Sequence, residues 1–473
     1  MSHKSTAIKE STAIKESTVG ERLSQWAVHL TVENIPAEVQ HAAARHLLDG
    51  VGLAIAAQRL DAAMAACTVA RTLTSVDGVR MVGGDERLAV PGAALANGVL
   101  VHALDFDDTH AQGLVHATAV TLPAAFAVGQ EVKSTGAEVL AASVVGYETV
   151  CRVAAATPHG FHARGMHATS VCGTIAAALI TSRLQGVTAD IASNALGIAA
   201  STSGGLLEFL DTGSDTKTLH PGLASMNGVI AAELAIAGGQ GPNTALEGKR
   251  GIYATLSARE ADPESVVAEL GERWETTRIS IKPIPACQLM HVTLDAAQGS
   301  PVPTQDIVRI EVLVHPDSSP TVCEPRELKN APRTSYDAKF SLPWSLAAQL
   351  VDGEVTVDTY RTEFLGRPEI IRLAELVEVQ LGPSEGVAAE AAGQVRIHSR
   401  SGEVWEGTVP GSRGTPNHPL SDHDLFVKFR ANCGDSFLAD QLADLIFNIA
   451  DQPNLDQLHD LASSIVSKEA QPA

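Results

Sequence analysis

The feature that most constrains this chain is alanine gathered into long apolar runs in a sequence almost without aromatic residues. "PGAALANGVLVHAL" from Pro91 and "CGTIAAALITSRL" from Cys172 set the style, and aromatic residues make up 4% of the chain against 45% apolar residues overall. Alanine is the strongest helix former and its short side chain lets helices approach closely, whereas sheets draw on β-branched and aromatic residues. The 473 residues exceed one ordinary core. These observations predict a mainly α fold: a large all-helical domain with a smaller α+β domain inserted into it.

Residues 1–18 contain "STAIKESTAIKEST", a polar six-residue unit repeated at Ser5 and Ser11 that has nothing to bury and predicts a disordered tail. From Val19 the text turns amphipathic, with Leu23, Trp26, Ala27 and Leu30 at helical spacing, and helical segments punctuated by Gly, Pro, Asp and Asn follow to residue 273. The texture then changes. "DIVRIEVLVHP" alternates Val308, Ile310, Val312 and Val314, "LVEVQLG" repeats the pattern, and "GQVRIHSRSGEVWEGTVPG" reads as a hairpin around Arg400 to Gly402. An α+β domain over 274–408 is expected, after which Ser421 is a natural N-cap and residues 409–473 return as helices to the first domain.

The formal charge of −21, from 34 basic and 55 acidic side chains, argues against nucleic acid and anionic membranes as partners. An anionic substrate would need local lysines, arginines or helix N-termini to draw it in. Six scattered cysteines without a C-x-x-C pair suit a reducing cytoplasm, and neither a secretory signal nor a membrane-spanning run is legible.

"VHALDFDDTHAQGLVHATAV" places His102, Asp105, Asp107, Asp108, His110 and His116 within fifteen positions, directly after an apolar run. Such groups are expensive to desolvate, so the segment is either a solvated loop with helix-capping aspartates or a functional site. Its histidines and aspartates are metal-ligand types, yet no H-E-x-x-H or related spacing occurs, and no metal is assigned. G-x-x-x-x-G-K-[ST], G-x-G-x-x-G after a strand, and G-x-S-x-G are also absent. Three further stretches set ionisable residues among apolar ones: "RGMHATSVCGT" with Arg164 and His167, "DTKTLHPGLASMNGV" with Lys217 and His220, and "IKPIPACQLMH" with Lys282, Cys287 and His291. Singly, each reads equally as surface. Together they suit removal of a proton from a carbon beside a carboxylate, where a base must be within reach and cations must neutralise the enediolate.

"ALANGVLVHALDFDDTH", "RGMHATSVCGTIAAA", "DTKTLHPGLASMNGVIAAELA", "GPNTALEGKRG" and "KPIPACQLMHVTLDA" occur in the order found in the MmgE/PrpD family, which this chain resembles from about Val19 onward. The resemblance implies a homodimer with its active site between two domains, acting on a small di- or tricarboxylate without an organic cofactor. Members named for their chemistry include 2-methylcitrate dehydratase, cis-aconitate decarboxylase and iminodisuccinate epimerase. Carried over singly, the family positions fall on Asp105, Thr109, His116, His167, Lys217 and Lys282. Two positions depart from the decarboxylase branch: Cys287 stands for a histidine and Trp344, in the "SLPW" helix, for a tyrosine, and neither substitute reproduces the lost hydrogen bonding. Asp105, His116, His167 and Cys287 are therefore the candidate catalytic residues, with Thr109, Lys217, Lys282 and Trp344 expected to bind substrate. The leading expectation is a 2-methylcitrate dehydratase-like hydro-lyase. An epimerase using Cys287 as second acid follows, then decarboxylation, an inactive binding protein, and, outside the family, a metal-dependent hydrolase.

Overall fold

The computed structural model describes residues 17–434 and 437–469. The repeats at Ser5 and Ser11 lie outside the described residues. Thr18 is the N-cap of the first helix, Val19–His29, in a reciprocal capping box with Glu21.

The fold is mainly helical with a small α+β part. One hydrophobic cluster runs from Val19 to Ile281 and resumes with Leu425, Phe429, Leu442, Ile446 and Ile465, so the C-terminal helices pack with the first ones. A second cluster, from Ile284 to Ile397, belongs to the smaller domain. The crossover between the two lies at Pro283, not at residue 274. Ile279–Ser280 pairs antiparallel with Thr109–His110, which holds this stretch on the helical domain.

The sheet of the smaller domain has the strand order Val377–Leu381, Ile307–Val314, Gly393–Ser399, Val404–Val409. Its first pair is parallel and the others antiparallel. The expected hairpin is present, with Gly402 at φ 90°. One detail differs from the alternating pattern: the register shifts between Ile307 and Arg309, which turns Val308 outward and Ile307 inward.

Alanine and glycine bring the central helices together. Val90–His102 lies against Thr216–Ile236, and a Cβ on Gly98 would stand 2.6 Å from the Gly222 Cα, so the crossing admits no side chain at this point. Thr216–Ile236 continues through Pro221, so His220 lies inside the helix. Among the described residues, no single helix is long and apolar enough to cross a membrane.

Candidate active site

A cavity of about 790 Å³ opens between the two domains, with Asp105, Thr109, His116, His167, Lys217, Lys282 and Cys287 in its wall. Chain segments far apart in sequence supply these residues because several helices begin here. His167 immediately precedes Ala168–Leu184, Lys217 is in the first turn of Thr216–Ile236, Cys287 caps Gln288–Ala297, and His116 precedes Thr118–Glu131. Helix N-termini present unpaired N–H groups and positive dipole ends, so the cavity favours an anion.

Asp105 is the pivot. It follows the end of Val90–His102 with φ 51°, a left-handed conformation that aspartate tolerates better than most residues. Its Oδ1 accepts from Lys217 Nζ at 2.5 Å and lies 3.5 Å from Lys282 Nζ, which also donates to the Asp105 carbonyl at 3.0 Å. Burial works to raise this carboxyl, but the two ammoniums outweigh it and hold the pKa well below the ordinary range. Two further buried lysines pin the adjoining carbonyls: Lys339 donates to Leu104 at 2.6 Å, and Lys428 to Phe106 at 3.0 Å.

Asp107 and Asp108 are buried rather than solvated. Asp107 Oδ2 accepts from His102 Nδ1 at 2.7 Å. Asp108 does cap a helix, across a loop: its carboxylate takes the Thr118 N–H at 3.1 Å and the Thr118 hydroxyl at 2.5 Å. Burial, and then the charge of Asp107, push the Asp108 carboxyl up to about 7. His110 is bound to Glu275 at 3.1 Å, outside the cavity wall.

His116 Nδ1 donates to the Asp108 carbonyl at 2.8 Å, leaving Nε2 with its lone pair, and Thr109 Oγ1 is 3.4 Å from Nδ1. His167 Nδ1 meets His220 Nδ1 at 3.0 Å. Burial first, then Lys217 for His116 and His220 for His167, hold both imidazoles well below their ordinary pKa. The Cys287 thiol moves oppositely, raised by burial and by Asp105.

The structure thus gathers Asp105, Thr109, His116, His167, Lys217, Lys282 and Cys287, and leaves out Trp344. That indole is fully buried in the smaller domain's core, donates to the Leu365 carbonyl at 3.3 Å and has no part in the cavity wall. Arg164 is exposed, and His291 braces the Lys282–Cys287 turn by bonding the Ala286 carbonyl at 3.0 Å. A phenol is nevertheless near the site. Tyr336 has a buried hydroxyl with no hydrogen bond among the described residues, and burial followed by the charge of Asp105 holds its pKa well above the ordinary value. Nothing in "TSYDAKF" marked it, whereas Lys339 and Lys428, each flanked by phenylalanine, carry the signal of a charge set into apolar text.

The cavity thus brings together imidazoles pushed toward the neutral form, a thiol kept protonated and two lysines. The chain belongs to the MmgE/PrpD family; the MmgE/PrpD N-terminal domain matches residues 21–264 and the MmgE/PrpD C-terminal domain residues 284–450. It is similar to a cis-aconitate decarboxylase of Aspergillus terreus, 28% identical with 94% of each chain covered. The cis-aconitate decarboxylase of Homo sapiens is 27% identical over 80% of this chain and 79% of its own, and that of Mus musculus 29% over 76% and 75%. Membership supports a lyase-like enzyme.

Proposed function

We propose that this chain is a lyase that removes the proton from a carbon beside a carboxylate of a small di- or tricarboxylate and expels water, as a 2-methylcitrate dehydratase-like hydro-lyase. The observation that carries this reading is the separation of acid from base around one cavity: His116 and His167, pushed toward the neutral imidazole, and Cys287, held as the protonated thiol, stand in its wall, and the protonated phenol of Tyr336 packs behind the wall residues Phe209 and Phe340. In this reading Lys217 and Lys282 hold a substrate carboxylate and Thr109 adds a hydrogen bond. His116 Nε2 takes the α-proton, and the electron pair moves into the carboxylate to form an enediolate opposite the two ammoniums. As that pair returns to form the carbon–carbon double bond, the C–O bond breaks, and Cys287 or Tyr336 protonates the departing hydroxide to water.

Decarboxylation of a cis-aconitate-like substrate is the second reading, favoured by the similarity to cis-aconitate decarboxylases and by Tyr336, the phenol that Trp344 fails to supply. It uses the same clamp: the C–C bond breaks, CO₂ leaves, and the acid side protonates the carbanion. Epimerisation would return the proton from Cys287 on the opposite face. The reading carries with it a cytoplasmic homodimer, supported for the dimer by exposed Leu223, Ile230 and Leu234 on one helix.

Incubation with 2-methylcitrate and with cis-aconitate in heavy water, followed by NMR, tests these readings together. Deuterium gain at an α-carbon with appearance of an alkene supports the hydro-lyase, and CO₂ release from cis-aconitate supports the second reading. Neither event with any member of a di- and tricarboxylate panel would overturn both.

A further inference from the structure

On one side of the cavity His102, His116 and His167 each bring a ring nitrogen within 4.8 Å of one from each of the other two, and all three side chains are buried. In every ring Nδ1 is already engaged. His102 Nδ1 bonds Asp107 Oδ2 at 2.7 Å, His116 Nδ1 the Asp108 carbonyl at 2.8 Å, and His167 Nδ1 the His220 ring at 3.0 Å. Nε2 is thereby left as the acceptor in His102 and His116, and in His167 when its Nδ1 donates to His220. That of His102 is buried without a hydrogen bond among the described residues, a desolvation cost that proton abstraction by His116 does not explain.

Imidazoles fixed through Nδ1 by a carboxylate or carbonyl are the arrangement that metal-bound histidines use, since the outer partner sets the tautomer and raises ligand basicity. A tetrahedral ion with bonds of ~2.05 Å places ligand nitrogens about 3.4 Å apart, within reach of small ring rotations here. Asp105 offsets only one of the two charges of Lys217 and Lys282, so affinity must come from nitrogen lone pairs rather than from charge. That selects a late first-row dication over Mg²⁺ or Ca²⁺.

We propose that His102, His116 and His167 form an inhibitory site for a late first-row divalent cation such as Zn²⁺, which shuts the enzyme by occupying the nitrogen that would take the substrate proton. The inhibition rests on the acid/base reading above; the existence of the site does not.

Co²⁺ is the probe, because its visible absorption reports nitrogen ligation without any substrate. Titration of the full chain is expected to give one saturable Co²⁺ per chain, displaced by Zn²⁺ and unaffected by excess Mg²⁺. His102→Asn should abolish the signal, and Asp107→Asn, which keeps all three ligands, should weaken binding 10- to 100-fold. If His102→Asn does not fold, His167→Asn carries the same expectation. No absorption beyond that of aqueous Co²⁺, or a signal indifferent to both His102→Asn and Asp107→Asn, would overturn the site. Substrate α-proton exchange should fall in step with Co²⁺ or Zn²⁺ occupancy and return with chelator. Stimulation by the metal would overturn the inhibitory role, and a metal-free protein with no exchange at all would defeat the acid/base reading while the Co²⁺ spectrum still decides the site.

Discussion

Asp105→Asn removes a negative charge from between two buried ammoniums. The pair with Lys217 is 2.5 Å long, and its side chains are only 7% and 2% exposed. Lys282 stands 3.5 Å from the same oxygen and is itself fully buried. Removing one partner of a buried ion pair typically costs about 3–5 kcal/mol, because the other charge is left unpaired. Here two ammoniums lose their counter-charge, so the upper half of that range is expected. Lys217→Met leaves Asp105 with Lys282 and should cost less in stability. The kinetics should divide the other way. Lys217→Met removes a carboxylate contact and should raise KM. Asp105→Asn leaves two uncompensated cations for an anion and should lower kcat without raising KM, with ~2–4 kcal/mol lost from the transition state, about 30- to 1000-fold. Asp108→Asn is the control, assayed at pH 6. A carboxyl pushed up to about 7 is largely neutral there, and the amide oxygen can still accept from Thr118. Urea unfolding and steady-state α-proton exchange of the three variants suffice. Asp105→Asn with parental stability, or with a KM raised as far as that of Lys217→Met, would refute the clamp.

Replacing His116 by Gln should slow substrate α-proton exchange at least ~100-fold with the fold intact; parental exchange rates would move the base to His167. Tyr336→Phe should lower kcat of the lyase step roughly tenfold or more without changing stability by more than about 1 kcal/mol, since the lost hydroxyl makes no hydrogen bond among the described residues. Trp344→Phe should do the reverse, costing about 1–2 kcal/mol in urea with kcat and KM unchanged. Acid should destabilise the protein from pH 6.5 downward. Burial pushes His46 and His220 to about 4 and His162, His291 and His459 to about 3 from 6.5, so the unfolded chain takes up protons there that the folded chain refuses. The raised carboxyls of Asp49, Asp108 and Glu131 oppose this, the stabilisation by Asp108 being full below 3.8 and lost as pH rises toward 7, but they are three groups against nine histidines once His102, His116, His159 and His167, also lowered by burial, are included. A Tm that rises between pH 6.5 and 4.5 contradicts this balance.

The long helices and the four-stranded sheet were legible because they are written in local periodicity, whereas the short strand Thr74–Val79, inside the stretch read as all helical, was not. The alanine runs and the hairpin at Arg400–Gly402 needed no tertiary information. The crossover at Pro283 was not legible, because Ile279 and Ser280 are held by a two-residue pairing with Thr109 and His110 that has no local signature. The same limit explains Asp107 and Asp108. Read alone, three aspartates in four positions belong in water; here each has its own partner, namely Lys217, His102 and Thr118. Trp344 was misplaced because a helix position was matched to a role that depends on distance from the cavity, and Tyr336, one helix earlier, lies near Asp105 instead.

On the proposed function, those partners also resolve the conflict between a −21 chain and an anionic substrate. A uniform negative field would repel a polycarboxylate, and long-range attraction is screened beyond about 8–10 Å in any case. What the substrate meets is the local arrangement. Asp107 is matched by the hydrogen bond from His102, and Asp108 is pushed toward neutrality, so at the clamp only Asp105 stands against Lys217 and Lys282. One positive charge is left over, within a ring of helix N-termini at His167, Lys217 and Cys287 that adds further partial positive charge. A substrate carboxylate drawn there meets cations that are already desolvated and held by the Asp105 side chain and carbonyl, so little reorganisation is needed as charge develops. The acidic surface therefore leaves the chemistry of the site untouched, and Asp105 is tolerated beside an anionic substrate because the two lysines would otherwise be too costly to bury.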